Sequence, residues 1–95
     1  MAAYILAFVE VTDAETYERY KLLAPKAIAA GGGRYLVRGG AVDVLEGSHD
    51  GRRVVVLEFP SVEAAKIFYD SELYREARAV RAGASKATLL LVPGI

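Results

Sequence analysis

A chain of 95 residues is long enough for one small domain and too short for two. Lys plus Arg and Asp plus Glu both number 12, so there is no basic surplus to release counterions from a nucleic acid, and without cysteine there are neither disulfides nor thiolate metal sites. Hydrophobic residues make up 54% of the chain against roughly 45–50% in ordinary globular proteins, an excess that points to apolar surface covered by a partner.

The apolar start from Met1 to Val11 has no basic lead, carries Glu10 and runs into a helix start at Thr12, so it reads as a strand from Tyr4 and not as a secretory signal. No run approaches the ~20 apolar residues of a membrane span, and the expectation is a soluble, cytoplasmic protein. Thr12-Asp13-Ala14-Glu15 fits a capping box with Thr12 and Glu15 as the reciprocal pair. Tyr17, Tyr20, Ala24, Ala27 and Ile28 then recur at helical spacing to about Ala30. Pro25 removes an amide inside that stripe and predicts a kink or a break into two helices. Gly31-Gly32-Gly33 predicts the end, with one glycine left-handed.

Arg34 to Arg38 predicts a second strand, with Arg34, Leu36 and Arg38 on one face and Tyr35 and Val37 on the other. After Gly39-Gly40 the stretch Val42 to Glu46 is extended again, as one kinked strand or a separate short one, and Ser48-His49-Asp50-Gly51 predicts a tight turn. Arg53 to Phe59 is apolar on both faces, as a central strand is. Pro60 stops it and Ser61 caps a helix with Ala65, Phe68 and Tyr69 on its buried side. Asp70-Ser71 marks a break, after which Leu73, Tyr74, Ala77 and Val80 continue to Gly83, and Ser85 to Val92 is the last strand.

The order is β-α-β-β-α-β. Right-handed crossovers put the first and third strands at the centre of one antiparallel sheet and the second and fourth at its edges, which is a ferredoxin-like α+β fold in a single domain, 1–95. The helices cover one face only. Four strands ~4.8 Å apart and ~20–25 Å long leave roughly 400–500 Å² on the other, enough to mark an interface, and a two-fold homodimer packed through its sheet faces is the simplest cover.

Glu58 is the one carboxylate of the central strand, either the ion-pair partner of Arg34 or Arg38 or an acid, base or ligand anchor in a cleft. Arg34 and Arg38, four residues apart and on one face of the predicted strand, either clamp an anionic ligand or protect a sheet edge. Tyr69 and Tyr74 offer hydroxyls on apolar bodies. His49, the only histidine, falls in a turn, and no residue cluster suggests a metal, nor any glycine pattern a nucleotide. Arg75, Arg78 and Arg81, interleaved with Glu72 and Glu76, read as a solvated face.

Gly32-Gly33-Arg34-Tyr35-Leu36-Val37-Arg38-Gly39-Gly40, Leu45-Glu46-Gly47, Glu58-Phe59-Pro60-Ser61, Tyr69-Asp70-Ser71 and Tyr74 resemble the family of domains of unknown function numbered 1330, over nearly the whole chain. The resemblance implies membership of the dimeric α/β-barrel superfamily, whose members include small monooxygenases, muconolactone-type isomerases, haem-dependent chlorite-converting enzymes and ligand-binding domains. It implies a cleft faced by Arg34, Tyr35, Arg38, Glu58, Tyr69 and Tyr74. Two departures stand out: Phe68 where many members have Trp, and Ser48 to Gly51 in place of a loop often rich in Trp and Pro. The single His in that loop speaks against a haem ligand.

The resulting expectation is a homodimer holding a small anionic or polar-aromatic molecule between sheet and helices, with no cofactor. Arg34 and Arg38 would anchor it, Glu58 would orient or deprotonate it, and Tyr69 and Tyr74 would line the wall. Catalysis by cofactor-independent proton transfer or oxygenation, a ligand-binding or regulatory module, and a purely structural dimer all remain open on the sequence.

Overall fold

The computed structural model describes residues 1–95. In chain order the elements are β1 (Ala3–Val11), α1 (Ala14–Ala30), β2 (Arg34–Arg38), β3 (Arg53–Phe59), α2 (Val62–Asp70), α3 (Glu72–Ala82) and β4 (Ser85–Pro93). The strands form one antiparallel sheet in the order β2-β3-β1-β4. This is the ferredoxin-like α+β arrangement expected from the sequence, with the second helix divided at Ser71. The sheet stays open at β2 and β4 and does not close into a barrel within one chain.

Odd-numbered residues of β1, β3 and β4 face the helices. Ile5, Ala7, Val9, Leu57 and Phe59 are buried there against Ala24, Ala27, Ile28, Ala65, Phe68, Tyr74 and Ala77. Phe59, Phe68 and Tyr74 are the largest fully buried side chains, and their rings stack in a row with centroids 4.8 and 4.3 Å apart. The even residues form the open face. There Tyr4, Leu6 and Phe8 of β1 lie beside Val56 and Val54 of β3 and Val92 and Leu90 of β4. Leu90 and Val92 are respectively 48% and 43% exposed, so the second face of the sheet is an uncovered apolar surface in the single chain.

The ends of the helices follow side-chain chemistry, with one shift from the expected register. Asp13, not Thr12, caps α1. Its carboxylate accepts from the Thr16 amide at 3.2 Å and from the Thr16 hydroxyl at 2.7 Å. Thr12 is drawn away because its amide and that of Asp13 both donate to the Ala84 carbonyl. Ser61 caps α2, accepting from the Ala64 amide, and Ser71 ends α2 and starts α3 by donating to Phe68 and accepting from Tyr74. At the C-terminus of α1 the Gly33 amide reaches the Ile28 carbonyl and the Gly32 amide reaches Ala29, a paired closure that places Gly32 at φ 80°.

Three further expectations are corrected. Of the two outcomes expected at Pro25, the break into two helices does not occur, since α1 runs through it from Ala14 to Ala30. Val42 to Glu46 joins no strand, and β2 and β3 are linked by a long irregular segment instead of a tight hairpin turn. Asp50 there folds back on Arg52, accepting from its amide and its side chain just before β3 begins. The third correction concerns β2. It pairs Tyr35 with Leu57 but Val37 with Val56, so an extra residue enters between them. Such a bulge turns the rest of the strand over. Arg34 therefore lies on the open face opposite Glu58, whereas Arg38, opposite Val55, lies on the helix face with Tyr35.

Candidate functional site

The bulge divides the residues singled out by sequence into separate places. Arg34 and Glu58 meet on the open face, Nε to Oε1 at 2.7 Å, with side chains 70% and 24% exposed. Tyr69 packs against Tyr74 with ring centroids 5.8 Å apart, lies beneath the Arg78 guanidinium at 4.1 Å, and faces a groove between α2 and β4. Tyr35, Arg38 and Tyr74 come together under the helices. Glu58 thus has the sheet between it and Tyr74, and the expected single cleft does not form within one chain.

What does form is a narrow crevice between the sheet and helices α1 and α3, with a volume of about 30 Å³. Tyr17 and Tyr20 enter it from α1, Tyr74 and Arg81 from α3, Tyr35 and Arg38 from β2, and Arg53 from β3. The Tyr20 and Tyr74 hydroxyls are hydrogen-bonded at 2.8 Å. Whichever of the two donates, the other keeps its own O–H for a further acceptor. The Arg38 guanidinium lies 4.6 Å over the Tyr35 ring and donates to the Lys21 carbonyl. Arg53 and Arg81 lie over Tyr17 and Tyr20 at 5.9 and 5.8 Å, and the Nε of each is buried without a hydrogen-bond partner.

The electrostatics are one-sided. Three guanidiniums and four phenols line the crevice together with Lys21, and no carboxylate does. Burial raises the pKa values of Tyr17, Tyr20 and Tyr35, only partly countered by the neighbouring arginines, so these hydroxyls stay neutral donors at physiological pH. A buried cationic N–H without an acceptor is costly, and an anionic oxygen relieves that cost better than any neutral group. The arrangement is suited to receiving negative charge. It holds no base to remove a proton.

Arg53, Arg81, Tyr17 and Tyr20 were not among the site residues expected from sequence, although the signals exist. Arg53 has the parity of Val55, Leu57 and Phe59, which face the helices. Arg81 follows Tyr74 and Ala77 by seven and four residues, on the buried stripe of α3 and not on a solvated face. Of that arginine series Arg75 is exposed, while Arg78 stacks on Tyr69. His49 bonds within the irregular segment, its Nε2 3.0 Å from the Arg52 carbonyl oxygen, away from the crevice.

The family model described as Domain of unknown function (DUF1330) matches residues 2–95. No curated protein matches the chain. Among solved structures, a protein of unknown function from Rhodopseudomonas palustris superposes with a TM-score of 0.80 at 23% identity, covering 99% of this chain and 82% of that one. A dimeric ferredoxin-like protein of unknown function from Jannaschia sp. CCS1 gives 0.75 at 10% identity over 99% and 100%. A cofactor-independent oxygenase from Streptomyces nogalater gives 0.64 at 11% identity over 99% and 93%. At these identities the likeness is one of fold.

Proposed function

The chain belongs to the DUF1330 family, and we propose that it works as a homodimer that binds a small organic anion, its carboxylate or comparable oxyanion held in the crevice by Arg53, Arg81 and the Tyr20–Tyr74 hydroxyl pair. The observation that carries this reading is the pair of buried, unpartnered guanidinium Nε atoms of Arg53 and Arg81, over the Tyr17 and Tyr20 rings in a crevice that the Tyr20–Tyr74 hydroxyl pair also lines and no carboxylate does. A volume of about 30 Å³ has room for about two waters, which is the space of a carboxylate head and not of a ring. The body of the ligand then lies toward the mouth, beside Arg38 and Tyr35.

The homodimer is supported by the uncovered apolar face and by the fold neighbour described as dimeric. Covering such a face removes from water the patch that Leu6, Phe8, Val54, Val56 and Leu90 present. The crevice favours binding over proton transfer, because its tyrosines are held neutral by burial and Glu58 is on the other side of the sheet.

The test is a titration of the protein with acetate and with benzoate, followed by amide and arginine Nε–Hε NMR shifts at low salt. Saturable shifts at Arg53 and Arg81, an affinity at least tenfold lower in Arg53→Met and Arg81→Met, and recovery of the added acid unchanged are the expected results. Absence of saturation at millimolar anion, or equal affinity in both variants, refutes the site. Chemical conversion of the added acid would replace binding with catalysis.

A further inference from the structure

The positive charge of the crevice exceeds what one carboxylate balances. Lys21 has a counter-charge of its own in Glu18, Nζ to Oε1 at 3.0 Å. Arg38, Arg53 and Arg81 have none, since no salt bridge in the chain reaches any of the three. An unpaired guanidinium on an open surface is ordinary, because water screens it. These three instead converge on one crevice whose lining contains no acid, two of them with Nε buried and unbonded. A single carboxylate there leaves positive charge in excess where little water screens it.

The three cations fall into two positions. Arg53 and Arg81 lie over the rings of Tyr17 and Tyr20, whose centroids are 5.3 Å apart, and both are half-buried. Arg38 is exposed at the mouth, 4.6 Å over the Tyr35 ring. Its bond to the Lys21 carbonyl engages Nη2 alone and leaves the other donors of the fork uncommitted. The register fixes the spacing of the two positions. Arg38 lies opposite Val55 on the helix face, and Arg53 stands two residues before Val55 on the same face. They are diagonal neighbours, a relationship that sets Cα atoms roughly 7–8 Å apart.

We propose that the ligand is a short dicarboxylate, one carboxylate held inside by Arg53 and Arg81 and the second at the mouth by Arg38. This rests on the anion-binding reading above and names the class of acid. With the two positions so close, a spacer of roughly two or three carbons joins the carboxylates. The β2 bulge creates the second position. Without the extra residue, Arg38 would share the open face with Arg34 and only the inner position would remain. A monoacid of the same length sets a methyl group against the Arg38 guanidinium and leaves that charge without a counter-ion. Discrimination between diacid and monoacid therefore arises at the mouth.

The test compares succinate, glutarate and butyrate, each titrated at neutral pH and equal ionic strength and followed by arginine Nε–Hε shifts. The better diacid is expected to bind about tenfold more tightly than butyrate, or better. It should move the Arg38 signal together with those of Arg53 and Arg81, whereas butyrate moves only the latter two. The Arg38 signal decides on the wild type alone, whatever the stability of a variant. Arg38→Gln is expected to bring the diacid-to-butyrate ratio close to one, and Arg38→Lys, which keeps the charge without the fork, to restore part of it. Inorganic phosphate, with its charge on one head, should bind more weakly than the better diacid. Equal affinity for butyrate and both diacids, an unchanged ratio in Arg38→Gln, or phosphate binding as tightly as the better diacid overturns the dicarboxylate and leaves the anion site standing. Saturation by none of these acids overturns the anion site as well.

Discussion

Arg38 donates from Nη2 to the carbonyl oxygen of Lys21 at 3.1 Å. Lys21 precedes Pro25 by four residues, so this carbonyl is the one whose helical partner would have been the amide that proline lacks. The bulge in β2 turns Arg38 under the helix, and its guanidinium supplies the missing donor. A break in α1 is avoided by a strand residue thirteen positions further along the chain. The same side chain borders the crevice and rests on Tyr35, tying the edge strand to the helix that roofs the site.

This relationship predicts a coupled pair of substitutions. Arg38→Ala should cost about 1 kcal/mol, the ordinary net value of a partly solvated hydrogen bond. Pro25→Ala restores an amide to the Lys21 carbonyl, so in that background the cost of Arg38→Ala should fall by about half or more. Urea denaturation of the four proteins gives the coupling directly. Equal costs in both backgrounds would mean that Arg38 does not serve the proline gap.

Gly39 seats Arg53. Its φ is 73°, and a Cβ there would run into the Arg53 guanidinium. Gly39→Ala should therefore lose roughly 1–2 kcal/mol for the left-handed backbone and also weaken acetate binding about tenfold by displacing the guanidinium. Gly47 is the control. It has φ 79° with nothing within 4 Å of its added Cβ. Gly47→Ala should show a comparable loss of stability with anion affinity unchanged, and similar affinity losses in both variants would break the link between Gly39 and the site.

Much of the fold was legible because the relevant signals are periodic. β1 and β3 are apolar at both parities and occupy the centre of the sheet, while the edge strand β2 carries Arg34 and Arg38. Ser61 and Ser71 cap helices where short polar side chains precede helical stripes. The bulge had no such signal. In Arg34-Tyr35-Leu36-Val37-Arg38 the apolar run continues through the extra residue, so alternation cannot show where the parity changes. That single residue moved Arg38 to the other face, split the expected clamp and left Glu58 with Arg34 alone. The continuity of α1 through Pro25 was hidden for a related reason, since its compensating donor comes from another element.

In the proposed dimer, the Arg34–Glu58 pair should distinguish the single chain from the assembly. On an exposed sheet such a pair is worth about 0–1 kcal/mol. Closed inside a dimer, Arg34 left unpaired by Glu58→Gln should destabilise the assembly by roughly 3–5 kcal/mol. The paired change Arg34→Met with Glu58→Leu should recover most of that loss, because the apolar pair needs no desolvation of charge. Equilibrium unfolding at several protein concentrations separates folding from association. A loss below about 1 kcal/mol for Glu58→Gln would place the pair in water and the interface elsewhere.

Alkaline pH should unfold this protein through the tyrosines of the crevice. Burial raises the pKa of Tyr20 furthest, with its neighbour Tyr74 adding to the rise, and burial also raises Tyr17 and Tyr35 above the ordinary 10.0. Below pH 10 both folded and unfolded chains keep these protons, and stability does not depend on them. Above it the unfolded chain releases protons that the folded chain retains, so unfolding becomes more favourable as pH rises. Urea midpoints measured from pH 8 to 11 should hold level and then fall, and ultraviolet titration of the folded chain should show phenols that resist ionisation until the fold is lost. Tyr20→Phe removes the most perturbed group and should flatten the fall. A decline of equal steepness in that variant would assign the alkaline transition to groups outside the crevice.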